Sequence, residues 1–246
     1  MIKELDNIFK KTNIYDSKFI YIYSDFRFFF KYCKNNPQNS TKLFLELFTK
    51  KGITCVIPAF SYTTTGNFIV ENTKSKVGFL ANFVMKNLSF DRSEHPLFSF
   101  VSIGKNKKIV KNIGKSAFGN DCIHSRLHKQ KTVFLNLFRP LKDGNTLVHH
   151  IEQKNKAKYR FDKKFVTRVI KNKKMFGTNF KAYVRKHINK KEDLFTFKKI
   201  YKDLIKKDFV FQNKVKSSNI FIYDYDALYA YFEKRYKKDK FVFVNK

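Results

Sequence analysis

Cysteine is scarce. The three in this 246-residue chain, Cys33, Cys55 and Cys122, are widely spaced, with no Cys-x-x-Cys and no Cys/His cluster. That pattern excludes a disulfide framework and a structural zinc site; no metal is expected, and a reducing compartment fits. An apolar signal core is missing from the opening residues, Met1-Ile2-Lys3-Glu4-Leu5-Asp6. Nor is any run apolar enough to span a bilayer. The longest uncharged stretch, Gly52 to Val70, carries Pro58, Gly66 and the threonines Thr54, Thr63, Thr64 and Thr65. A soluble, cytoplasmic protein without a membrane span is expected.

Negative charge is also short. Asp and Glu number 20 against 52 Lys and Arg, a formal net charge of +32, and tryptophan is absent. A surface of this sign attracts anions and repels cations at range. Nucleic acid is the obvious partner to consider, but no aromatic stacking motif or recognition helix accompanies the charge. Lys, Asn, Phe, Ile and Tyr are all plentiful, as an A+T-rich coding bias produces, so the lysines read as solvated faces. A nucleic-acid-binding module is therefore the more remote alternative.

Hydrophobic residues make up 43% of the chain, which excludes wholesale disorder, and the length suffices for a sizeable core. The runs Phe19-Ile20-Tyr21-Ile22-Tyr23, Thr54 to Ile57, Ser99 to Ile103, Val133 to Leu137, Ile220 to Tyr223 and Phe241 to Val244 read as buried strands. Helical spacing marks residues 1–17, a segment capped by Ser40 with Leu43, Phe44, Leu47 and Phe48 on one face, Gly78 to Leu88 with Ser75 as its cap, a piece starting at Ile109 to Ile113, the Lys-rich residues 180–207, and Ala227 to Tyr236. Residues 59–76 read as a loop. Strand–helix–strand order implies a parallel crossover. The expected fold is a single α/β domain over 1–246, with a mostly parallel central sheet flanked by helices.

Three segments carry chemistry. Asn145-Thr146-Leu147-Val148-His149-His150-Ile151-Glu152 follows a buried strand. On a helix His149 and Glu152 share a face, and a carboxylate beside an imidazole fixes its tautomer and raises its basicity. The pair also fits a structural histidine with a solvent-facing glutamate. The order differs from the His-Glu-x-x-His of a zincin. Arg92-Ser93-Glu94-His95-Pro96-Leu97-Phe98-Ser99 offers groups that can bind phosphate, or serves as a connecting loop. The third runs from Pro58-Ala59-Phe60-Ser61-Tyr62 to Thr73-Lys74-Ser75-Lys76-Val77-Gly78, with a loop between that is long enough to touch a substrate.

Taken in order, these segments resemble the aminoglycoside 3-N-acetyltransferase family. Arg-Ser-x-His-Pro-x-x-Ser is intact from Arg92 to Ser99, followed by Gly104, and Asn-Thr-x-x-His-x-x-Glu is intact from Asn145 to Glu152. Pro58-Ala59-Phe60-Ser61-Tyr62 stands where the family has Pro-Thr-Phe-Ser-Tyr, and Tyr23-Ser24-Asp25 where it has His-Ser-Ser. Thr73-Lys74-Ser75-Lys76-Val77-Gly78 stands where the family has Thr-Pro-Ser-x-x-Gly; Phe118-Gly119 and Tyr159-Arg160 follow in place. The motifs cover roughly residues 18–165; individually they are unspecific, and their ordered conjunction is specific.

The resemblance implies an acetyl-CoA-dependent N-acetyltransferase that acylates an amino group of an aminoglycoside or amino sugar by direct attack. It implies His149 as general base assisted by Glu152, with Thr146, or backbone N–H groups nearby, as donors to the acyl oxygen. It points to Ser24, Arg92, Ser93 and Ser99 as coenzyme contacts and to Tyr62 and Phe68 as substrate contacts. The implied partners are acetyl-CoA and a small-molecule amine, with room for a homodimer. Three departures stand out: Phe68-Ile69 where the family often has Phe-Asp, Cys122-Ile123 in place of Ser-Pro, and no glycine around Lys214-Val215-Lys216. Retention of both His149 and Glu152 argues against a scaffold that has lost catalysis. The missing acid and the cationic surface favour a neutral or anionic amino sugar, nucleotide-linked or part of a surface glycan, over a polycationic antibiotic.

Overall fold

The computed structural model describes every residue except 34, 35, 144, 187–196, 198, 245 and 246. In chain order the elements are α1 (Ile2–Phe9), β1 (Phe19–Ser24), α2 (Phe26–Tyr32), α3 (Pro37–Thr49), β2 (Thr54–Pro58), β3 (Asn67–Ile69), α4 (Phe79–Asn87), β4 (Asp91–Arg92), β5 (Phe100–Ile103), α5 (Ile123–Leu127), β6 (Thr132–Leu137), α6 (Leu147–Lys154), β7 (Arg160–Phe165), β8 (Arg168–Lys171), β9 (Lys174–Gly177), β10 (Phe180–Arg185), α7 (Tyr201–Leu204), β11 (Val210–Val215), β12 (Ser218–Asp224) and α8 (Tyr225–Lys238).

The continuous apolar run of β1 is buried on both faces, and that sets the architecture. Alternate side chains leave a strand in opposite directions. Ile20 and Ile22 join one core with Leu5, Phe44, Phe48 and Leu80 from α1, α3 and α4. Phe19 and Tyr21 join the other, with Leu127, Ile151, Leu228 and Phe232 from α5, α6 and α8. Helices therefore cover both sides of a seven-stranded sheet ordered β11-β12-β6-β1-β2-β5-β4. Each fully buried Phe contributes about 2–3 kcal/mol of transfer free energy, so the two cores carry the stability.

The expected α/β class holds, but the parallel character is narrower than expected. Within the seven-stranded sheet, among the described residues, only β2-β1-β6 is parallel, with Phe19 opposite Thr54 on one side and Thr132 on the other. β5, β4, β12 and β11 all pair antiparallel. Their connections need no crossover helix: β11 and β12 are joined by a turn at Lys216, whose φ is 54°. Two small sheets lie outside the main one, β10-β7 and β3-β8-β9. Gly104, just past β5, has φ 107°, and a Cβ there would sit 2.6 Å from the Ile53 carbonyl oxygen. Only glycine fits that close approach.

Several local expectations are corrected. The first helix stops at Phe9, and a 3-10 turn, Asn13–Asp16, follows. Asn36, not Ser40, caps α3, because Pro37 already occupies its first turn. Ser75 does not cap α4; its hydroxyl accepts from Val77 N, and the helix begins after Gly78 at φ 77°. The piece near Ile109 is a 3-10 turn, Lys107–Val110. The apolar run Phe241 to Val244 forms turns packed on α8, with the Phe243 ring 5.6 Å from that of Phe232. Within the Lys-rich stretch, 180–185 is strand and only Tyr201–Leu204 is helix, while 187–196 and 198 lie outside the described residues.

Candidate active site

The three parallel strands end on the same edge of the sheet, where open α/β folds place their ligands. A cavity of about 630 Å³ opens there. β1 delivers Tyr23 and Ser24, β2 delivers Ile57 and Pro58, and the segment after β6 delivers Arg139, Asp143, Asn145, Thr146 and His149. The first turns of α2 and α4 face the same space through Phe26, Arg27, Phe79 and Leu80. α4 begins at Gly78 without a side-chain cap, so its leading N–H groups are open to an anion.

His149 sits on the cavity side of α6 and Glu152 lies one turn on, 0% exposed. Asn145 sets this helix by accepting from Leu147 N at 3.1 Å. The His149 Nδ1–H donates to Glu152 Oε2 at 2.8 Å, which makes Nε2 the basic nitrogen. Glu152 is held by two more donors: Tyr159 Oη to Oε1 at 2.8 Å and Arg160 Nη2 to Oε2 at 2.8 Å. Arg160 is anchored in turn on the Tyr183 carbonyl at 2.8 Å. Burial opposes ionisation of Glu152. The His149 hydrogen bond, the Arg160 charge and the Tyr159 hydroxyl outweigh it and hold the carboxyl below its ordinary range. Burial, and then the Arg160 guanidinium, push His149 below its ordinary value despite Glu152. The imidazole is therefore neutral at neutral pH, with a carboxylate behind it.

Beneath the cavity floor lies a second polar group that the sequence did not single out. The Thr146 hydroxyl is 3.0 Å from His124 Nε2 and 3.0 Å from Tyr21 Oη, and His124 Nδ1 is 2.8 Å from Tyr225 Oη. These residues come from four separate segments, so no spacing in the chain links them. Arg139 and Asp143, four residues apart and also not singled out, line the cavity as a pair at 3.4 Å, and Asp25 pairs with Arg27 at 2.6 Å.

The expected site residues divide. Ser24, Tyr62, Thr146 and His149 line the cavity, with Glu152 directly behind. Arg92, Ser93, Ser99 and Phe68 do not. Arg92 is 3% exposed, and its guanidinium is spent on the carbonyls of Ala59, Val70 and Thr73 and on Ser99 Oγ. Ser99 Oγ donates to the Ala59 carbonyl, and Ser93 Oγ accepts from Phe100 N. Phe68 is buried against the Arg92 guanidinium, 4.8 Å from its ring centre. The Arg-Ser-x-His-Pro motif thus ties the 59–76 loop to β4 and β5 rather than presenting phosphate ligands. Among the described residues, no group of three or more His, Cys, Asp or Glu is placed to hold a metal, and no helix is long and apolar enough to cross a membrane.

The fold is shared with solved structures. Aminoglycoside acetyltransferase AAC(3)-IVa superposes with a TM-score of 0.75 at 16% identity, covering 98% of this chain and 90% of that one. AAC(3)-Xa gives 0.77 at 12% identity over 96% and 92%, and the YokD protein from Bacillus subtilis 0.75 at 14% over 97% and 94%. No curated protein matches by sequence. The model of the family described as aminoglycoside 3-N-acetyltransferase matches residues 30–237. With that span, the ordered motifs and the shared fold, the chain belongs to the aminoglycoside 3-N-acetyltransferase family and is an N-acetyltransferase.

Proposed function

We propose that the chain transfers an acetyl group from acetyl-CoA to a primary amine of an amino sugar, with His149 as general base. The observation that carries this reading is the buried Glu152 carboxylate fixing a neutral His149 at the cavity edge. The surroundings fit the coenzyme: the open first turn of α4, Ser24 and Lys76 supply donors and positive charge for an anion. When bound, acetyl-CoA supplies an activated thioester. His149 Nε2 takes a proton from the acceptor amine as the C–N bond forms and returns it to sulfur as the C–S bond breaks. The Thr146 hydroxyl donates to the acyl oxygen as negative charge gathers on it.

The acceptor is a neutral or anionic amino sugar rather than a polycation. A polycationic antibiotic needs carboxylates, yet both that line the cavity, Asp25 and Asp143, are already paired to arginines. Ile69, where the family often has an acid, lies on β3 away from the cavity lining, so those pairs and the +32 net charge support the reading. The test follows free thiol released from acetyl-CoA across a panel of nucleotide-linked amino sugars, kanamycin and gentamicin. Turnover of the nucleotide sugars, weakening with salt, is expected. Efficient acetylation of kanamycin or gentamicin, with none on the nucleotide sugars, would overturn the substrate assignment and leave the reaction type standing.

A further inference from the structure

Thr146 opens α6, yet its hydroxyl caps nothing; Asn145 performs that task. The hydroxyl instead meets two buried polar groups, His124 Nε2 and Tyr21 Oη, each at 3.0 Å. His124 is 0% exposed and held among the rings of Tyr21, Phe100 and Phe118, at 5.4, 5.9 and 6.4 Å between centroids. It has no carboxylate neighbour among its hydrogen-bond partners, and burial keeps it neutral. A neutral imidazole carries one proton, and its tautomer is set by the partners on either side.

Two proton arrangements are open to this group, and they differ in where the Thr146 proton goes. If Nδ1 carried the proton, Tyr225 O–H would be left with only the His124 carbonyl at 3.4 Å, and the Thr146 proton would be spent on Nε2. If Nε2 carries it, Tyr225 O–H donates to Nδ1 at 2.8 Å and Nε2–H donates to Thr146. Tyr21 Oη is buried with Thr146 as its hydrogen-bond partner among the described residues, so its proton also goes there. Both lone pairs of the Thr146 oxygen are then occupied. Its own proton has one direction left, the cavity that Thr146 lines beside His149. This polarity gives the Tyr225 proton an acceptor at 2.8 Å in place of the carbonyl at 3.4 Å, and leaves the Thr146 proton for the cavity.

We propose that Tyr225, His124 and Tyr21 are positioning residues that aim the Thr146 hydroxyl proton at the acyl oxygen in the cavity. The proposal rests on the reading of Thr146 as the acyl-oxygen donor. Imidazole suits position 124 because it accepts on one edge and donates on the other, passing direction from Tyr225 to Thr146. The residue follows directly on Cys122-Ile123, where the chain departs from its family.

Two measurements on the full chain test it. Nitrogen-15 NMR of the histidine side chains should show His124 as the Nε2–H tautomer near neutral pH; an Nδ1–H tautomer would overturn the proposal. A kinetic cycle uses acetyl-CoA and whichever acceptor of the panel turns over fastest. Thr146→Val should lower kcat roughly a hundredfold, as loss of such a donor does elsewhere. The KM for acetyl-CoA should stay within about threefold of wild type. His124→Phe should lower kcat about tenfold or more alone, and add nothing in the Thr146→Val background. Additive losses would make His124 merely structural and sink the idea. Should His124→Phe fail to fold, Tyr225→Phe, which removes a single oxygen, takes its place in the cycle. Wild-type turnover in Thr146→Val would remove the acyl-oxygen reading and this proposal together, while His149 is judged by its own variant.

Discussion

His149 owes its reactivity to groups that never touch a substrate. Glu152 fixes its Nδ1–H, and Arg160 opposes the imidazolium while holding Glu152 ionised. His149→Ala should therefore cost roughly a hundredfold or more in turnover with the fold intact. His150→Ala should leave turnover near wild type and lower thermal stability instead. Its Nδ1 and Nε2 face the Phe118 carbonyl and the Tyr229 hydroxyl at 2.9 and 3.0 Å, inside the core. Turnover lost in His150→Ala and kept in His149→Ala would reverse the assignment. The acidic limb of kcat should lie below pH 6.5, because burial and Arg160 both disfavour the protonated ring. Arg160→Gln removes one of those effects, so His149 becomes easier to protonate and the limb moves to higher pH. A limb that stays put or moves down would detach Arg160 from the base. Arg92 belongs to stability: Arg92→Lys cannot reach four acceptors at once, and a loss of about 3 kcal/mol in chemical denaturation is expected. Unchanged stability with a raised KM for acetyl-CoA would restore it as a coenzyme contact.

At the scale of elements, a histidine pins two of them together. His95 Nδ1 accepts from Leu97 N and Phe98 N, each at 3.2 Å, and Nε2–H donates to the Lys181 carbonyl in β10 at 3.1 Å. Burial pushes its pKa down to about 4. Below pH 6.5 the unfolded chain binds a proton that the folded chain refuses, so stability is intact above that pH and falls on acidification. His95 alone should remove about 3 kcal/mol by pH 4. His124, His149 and His150 are shifted in the same direction and steepen the decline. Denaturation midpoints that stay flat between pH 7 and 5 would contradict this. The sequence showed β1, β2, β6 and the His149–Glu152 face, because continuous apolar runs and 3.6-residue spacing act locally. It did not show the direction of β5 or β12, which depends on connection geometry. Nor could it separate Arg92 as a phosphate ligand from Arg92 as a loop tie, since both want the same side chain. His124 was invisible because its partners Thr146 and Tyr225 lie 22 and 101 residues away.

Across the whole molecule, the site draws on the central sheet and on a smaller one beside it. The floor of the site hangs on the ends of β1, β2 and β6, locked between two cores. The antiparallel β7–β10 pair stands to one side; Arg160 ties its two strands together through the Tyr183 carbonyl, and His95 ties it to the segment before β5 through the Lys181 carbonyl. Both fastenings grip backbone oxygens, which every amino acid possesses. The exposed positions between them, from Phe161 to Lys164, are therefore free to change identity without loosening either peg. Arg160 opens the same strand and holds Glu152, so variation can run through 161–164 only while position 160 stays arginine; a wholesale exchange of this strand would carry the support of the base away with it.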